Sequence, residues 1–100
     1  MHVVEFTLHA KPGHYAEVSD LYSAFAADFL ATHDALETVL VVGDEASGLV
    51  RGIGVWATRD DADAVNSNPA FAAFNDAVEP MLASTAERIE LDLVHLFAKA

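Results

Sequence analysis

The stretch Gly43-Asp-Glu-Ala-Ser-Gly48 constrains this chain more than any other, because it separates two β-rich apolar runs. Thr38-Val-Leu-Val-Val42 precedes it, and Leu49-Val-Arg-Gly-Ile-Gly-Val-Trp56 follows it. A short polar loop bounded by glycines between two runs of strand formers reads as a hairpin. The flanks of a mid-chain hairpin then decide the fold. On the N-terminal side, His2 to Ala10 is strand-like and ends at the turn signal Lys11-Pro-Gly13. From His14 to Leu30, the apolar residues Val18, Leu21, Tyr22, Phe25 and Phe29 recur at helical spacing. On the C-terminal side, Asp60 to Asn66 reads as a short helix. Asn68-Pro-Ala-Phe71 opens a longer one, with Asn68 as cap and Pro69 where its missing N–H does no harm. Phe71, Phe74, Val78 and Leu82 form its stripe, and Pro80 bends or frays its end. Arg88 to Ala98 reads as the last strand. The order β-α-β-β-α-β predicts a ferredoxin-like α+β fold, a four-stranded antiparallel sheet with helices on one face.

Composition limits what such a fold can be. One hundred residues suit a single domain spanning 1–100, and 53% hydrophobic content is enough for a core. No apolar run approaches the roughly 20 residues of a membrane span. Sixteen acidic residues against five basic ones give a net charge of −11, a field that repels nucleic-acid backbones and anionic membranes. The chain has no cysteine, hence no disulfide and no thiolate chemistry, and Met-His-Val-Val-Glu lacks the basic region and cleavage site expected of a signal peptide. A cytoplasmic location is the expectation.

Strand patterning predicts a partner. Strand one alternates Val4, Phe6 and Leu8 with Val3, Glu5, Thr7 and His9; strand two is apolar on both sides; strand three sets Ile53 and Val55 against Val50 and Trp56. Helices cover one sheet face only, so the other calls for a second copy. The expected interface is a homodimer burying Val4, Phe6, Leu8, Ile53 and Val55.

The βαββαβ order, the strand ending in Trp56, the helix start Thr58-Arg-Asp-Asp-Ala62 and the Asn68-Pro-Ala-Phe71 segment resemble the antibiotic biosynthesis monooxygenase family. The resemblance covers nearly the whole chain and implies a dimeric α+β barrel. Its members include cofactor-independent oxygenases of polycyclic phenols, haem-degrading enzymes, and enzymes of small signalling metabolites. In the oxygenases a pocket Trp closes strand three, and Trp56 occupies that place. Their Asn four residues earlier is here Gly52, their short-helix Tyr is Ala62, and their long-helix Arg falls near Asn75. In the haem-degrading branch the first-strand Asn, pocket Trp and ligand His would be Thr7, Val65 and Phe74.

The resemblance points Trp56 under the helices, and period two sends Gly52 and Gly54 the same way. Glycine inside a strand leaves space, filled either by helix side chains such as Phe71 and Phe74 or by a ligand. Strand one is expected to bring Glu5, Thr7 and His9 to this face. His9 is then the candidate base, with Glu5 orienting it, or else a solvated strand-end residue. Trp56 is the aromatic platform. Thr7, Gly52, Gly54, Asn66, Phe71, Phe74 and Asn75 are the candidate substrate contacts. No metal-ligand spacing, phosphate loop or nucleophile elbow is present. The reading is a cofactor-independent monooxygenase acting on a small aromatic, such as a polycyclic phenol, or on an enolisable substrate. Two alternatives stay open: a binding protein without chemistry, and an isomerase or degradation enzyme for a small carbonyl metabolite.

Overall fold

The computed structural model describes residues 1–99. Its elements are β1 (His2–His9), α1 (Tyr15–Thr32), β2 (Leu36–Asp44), β3 (Leu49–Trp56), α2 (Arg59–Ala64), α3 (Pro69–Val78) and β4 (Glu87–Asp92). Single 3₁₀ turns follow α2 at Val65–Ser67 and α3 at Glu79–Met81. The strands lie in the order β2-β3-β1-β4, all neighbours antiparallel. This is the ferredoxin-like α+β topology that the element order predicts.

Local chemistry explains where the elements start and stop. Gly48 closes the β2–β3 hairpin at a φ of 76°, where a side chain would meet the Ala10 carbonyl. Thr58 Oγ1 accepts the Asp61 N–H at 3.1 Å and caps α2. Asn68 Oδ1 accepts the Ala70 N–H at 2.8 Å and caps α3, with Pro69 in the first turn. Pro80 cannot extend α3, so the chain tightens into a 3₁₀ turn there. The last strand is shorter than the expected Arg88 to Ala98. Its ladder with β1 runs out at the pair His2↔Asp92, and Leu93 N adds only one bond to the Met1 carbonyl at 3.1 Å.

Register decides which face each residue serves, and it overturns one expectation. Val4 pairs with Gly54, Phe6 with Gly52 and Leu8 with Val50. Directly paired residues project to the same side, so Val4, Phe6 and Leu8 lie under the helices together with Trp56. They are not interface residues. The buried clusters confirm this. One gathers Leu8, Val18, Tyr22, Val50, Phe74 and Val78; the other gathers Val4, Phe29, Leu36, Trp56 and Ala62. The uncovered face carries Val3, Ile53 and Val55 in the centre, Leu40 and Val42 on β2, and Ile89 and Leu91 on β4. Leu40 is 57% exposed and Ile89 48%.

Candidate active site

Seven aromatic rings fill the space between sheet and helices. They do so incompletely. Phe25 and Phe29 come from α1 with ring centroids 4.8 Å apart, and Phe29 meets Trp56 edge-on at 6.2 Å. Phe71 from α3 stands edge-on to Phe6 at 5.3 Å. Phe74 stacks on Phe25 at 4.6 Å and lies edge-on to Tyr22 at 5.2 Å. Beside Trp56 these rings leave a cavity of about 70 Å³, open on one side. Val4, Leu36, Val39, Ala62 and Val65 complete its apolar wall, and Tyr22 and Arg88 contribute polar groups.

Trp56, Gly52, Gly54 and Phe71 line the cavity, as the sequence suggests. The space above the two glycines is not empty, however. The Tyr22 ring and hydroxyl occupy the position of a Gly52 Cβ, whereas a Cβ on Gly54 would touch Trp56 Nε1 at 3.3 Å and Leu36 Cδ1 at 3.5 Å. Tyr22, not Phe71 or Phe74, is the side chain that Gly52 accommodates. Phe74 lies behind the wall against Phe25. Asn66 stands outside the cavity, where its Oδ1 accepts from Arg88 Nη1 at 3.2 Å. Asn75 borders a separate recess with Glu79 and Leu82.

The placement of Glu5, Thr7 and His9 beside Trp56 is corrected by the register. They pair with Ile53, Arg51 and Leu49 and therefore project to the uncovered face. There Arg51 Nε donates to Thr7 Oγ1 at 2.8 Å, and His9 Nε2 stands 3.6 Å from Glu87 Oε2. A sheet separates His9 from the cavity, so it cannot take a proton from a molecule bound there. The error arises because alternation defines two faces but not which one the helices cover.

Tyr22 and Arg88 are the functional groups that sequence reasoning misses. Tyr22 reads only as part of an apolar stripe. Arg88 pairs with Phe6, which turns it toward the helices, while its apolar neighbours Ile89 and Leu91 turn outward. The alternating pattern of β4 is the signal, but it suggests the opposite orientation until its pairing with β1 is known. Burial pushes the Tyr22 phenol up from its ordinary value of 10.0, only partly opposed by the Gly52 backbone. The hydroxyl therefore stays protonated and donates to the Phe6 carbonyl at 3.0 Å. Arg88 is a permanent cation. Neither side chain accepts a proton at neutral pH. At the edge of the site, Glu90 is held below the usual carboxylate value, chiefly by its hydrogen bond with His2, then by Asp63 and the Arg88 charge.

The fold recurs in solved structures. A candidate antibiotic biosynthesis monooxygenase from Caulobacter crescentus is 21% identical, with a TM-score of 0.83 over 94% of this chain and 90% of that one. The protein NE2512 of unknown function, from Nitrosomonas europaea, is 17% identical, with a TM-score of 0.83 over 99% of this chain and 94% of that one. SnoaB from Streptomyces nogalater, a cofactor-independent oxygenase, is 17% identical, with a TM-score of 0.75 over 98% of each chain. At such identities the shared property is the fold. No curated protein matches the chain in sequence. The sequence profile of one family does match, over residues 1–77, from the N-terminus through β1 and on to the last turn of α3. The chain belongs to the antibiotic biosynthesis monooxygenase family.

Proposed function

We propose that this protein binds a small enolisable or phenolic molecule against Trp56 and oxidises it with molecular oxygen, without a resident cofactor. The aromatic cavity at the end of β3 carries the reading, and the family and the cofactor-independent oxygenase SnoaB support it. Size narrows the substrate. The cavity is about 70 Å³, against the roughly 150 Å³ of an engineered cavity that binds benzene. It receives part of one ring or a short acyl chain, with the remainder at the open side. A single-ring or acyclic substrate therefore fits better than a polycyclic phenol.

The chemistry follows from what the wall contains. The substrate anion gives one electron to O₂, the radical pair joins carbon to oxygen, and the resulting peroxide is protonated. Loss of water then turns a methylene into a carbonyl. One oxygen atom enters the product and the other leaves as water, so no external reductant is needed. Apolar walls shield the carbanion from water. With no proton acceptor in the cavity, the substrate must be acidic enough to ionise by itself. That same feature favours a second reading, binding without turnover.

Oxygen uptake separates the two. The protein is incubated in air with small cyclic 1,3-diketones and acidic phenols, and product mass is measured. Turnover predicts protein-dependent uptake and a product gaining one oxygen and losing two hydrogens. Gly54→Val, which crowds Trp56, should abolish it in a folded protein. Ligands that raise the melting temperature without oxygen uptake would establish the binding reading instead.

We further propose that the protein works as a homodimer joined through the uncovered sheet face. The exposed apolar residues of that face support this, as do Val94 and Phe97 beyond β4, which are 92% and 85% exposed.

A further inference from the structure

The cavity wall is mostly apolar and carries one cation, Arg88, whose bonding indicates what enters. Arg88 reaches the helix side from β4, with its side chain 21% exposed. A guanidinium carries five N–H donors in a fixed fork. Here two of them have acceptors in hydrogen-bond range: Nη1 donates to Asn66 Oδ1 at 3.2 Å and Nη2 to the Ala62 carbonyl at 3.3 Å. Both acceptors are neutral and both bonds are long. The nearest carboxylate oxygens, on Glu90 and Asp63, stand 3.6 and 4.0 Å from Nη2 and make no hydrogen bond to it. Each also has another partner, Glu90 with His2 at 3.1 Å and Asp63 with Arg59 at 3.8 Å. The guanidinium thus borders the cavity in loose ion pairs with Glu90 and Asp63, with no anion in hydrogen-bonding contact. A cation so placed gains most from a partner that supplies charge and acceptors together, at hydrogen-bonding distance.

We propose that this partner is the ligand: Arg88 receives an oxygen anion attached to a small apolar body, so the site selects molecules already ionised at neutral pH. Carboxylates and acidic phenols or enols share that chemistry. The inference rests on the cavity being the ligand site, and it deepens that reading by naming the charge state of what binds. The apolar body enters against Trp56 while the anion stays at the partly exposed guanidinium. Arg88 then holds the reactive anion, and no base is needed because the ligand arrives already ionised. It also opposes the repulsion that a protein of net charge −11 exerts on any anion.

Matched probes test this on the whole protein. Pentafluorophenol, ionised at neutral pH, is titrated against neutral hexafluorobenzene by fluorine NMR, and benzoate against benzamide by ligand-observed proton NMR. Wild type should bind each ion at least about ten-fold more tightly than its neutral counterpart. Preference for both ions shows that any oxygen anion suffices; preference for pentafluorophenolate alone shows that the anion must be conjugated to the ring. Arg88→Met should bring ion and neutral probe to equal affinity, and Arg88→Lys should restore part of the preference. Equal affinity of ion and neutral probe in wild type, or a preference that survives Arg88→Met, overturns the inference while leaving the cavity as a ligand site. Failure of all four probes to bind overturns both.

Discussion

Gly52 and Gly54 stand two residues apart on the helix side of β3, yet their surroundings differ. A methyl group at Gly52 falls on the Tyr22 ring and hydroxyl, which are pinned by the bond to the Phe6 carbonyl. A methyl at Gly54 meets Trp56 Nε1 at 3.3 Å, beside an open cavity into which the indole can shift. Gly52→Ala should therefore destabilise by about 1–3 kcal/mol and Gly54→Ala by less than about 1 kcal/mol, read from urea midpoints at unchanged slope. Tyr22 itself gives stability a pH dependence. Its folded-state pKa lies above the unfolded value of 10.0, so the folded form binds more protons in alkaline solution. Its contribution is complete below that value and is lost as the pH rises beyond it. Unfolding measured across this range should show wild type losing more stability than Tyr22→Phe; parallel curves would mean that the phenol is not protected by burial.

Among the elements, α2 matters most for the site although it is short, because it supplies Ala62 to the wall and a carbonyl to Arg88. Six residues hold a helix poorly unless the ends are satisfied. Thr58 does this by accepting the Asp61 N–H and donating to Asp61 Oδ2 at 2.7 Å. Thr58→Ala should cost about 1 kcal/mol in thermal or chemical unfolding, and Thr58→Ser should retain most of it. Such caps are visible in sequence because a polar residue before a helical stripe has a local cause. The hairpin at Gly43–Gly48, the Asn68-Pro69 start and the order of elements along the chain are legible for the same reason. The site is only half legible. Trp56 and the glycines announce themselves, but the side of β1 that joins them depends on pairing, which no local pattern fixes. His9 and Arg88 exchange roles on that single point: one lies behind the sheet and the other comes forward at its edge.

At the scale of the molecule, the net charge and the bare sheet face act against each other. Two copies, each at −11, repel, while the face bearing Leu40, Ile53 and Ile89 gains by being covered. Association should therefore tighten with salt, which screens the repulsion and leaves the apolar contact intact. Leu40→Lys, at a position 57% exposed in the single chain, should leave each copy folded and shift light scattering from dimer to monomer. A wild type that scatters as a monomer at micromolar concentration would count against the face as an interface. None of the helices among the described residues is long and apolar enough to cross a membrane.

The outer strands β2 and β4 leave a row of unpaired backbone groups along each margin of the sheet. Glu37 and Asp44 stand on one margin, and Glu87, Glu90 and Asp92 on the other. Carboxylates there act as a fence: they oppose another copy's strand zipping on sideways, while the flat side stays open. In the proposed dimer such rims would keep growth at two copies rather than letting it run on into a fibril. The fence is electrical and needs no bulk. Near the isoelectric point of about 4.5 the overall repulsion between copies vanishes. A thioflavin-positive deposit appearing there and dissolving at neutral pH would show that solubility in this protein resides at its rims.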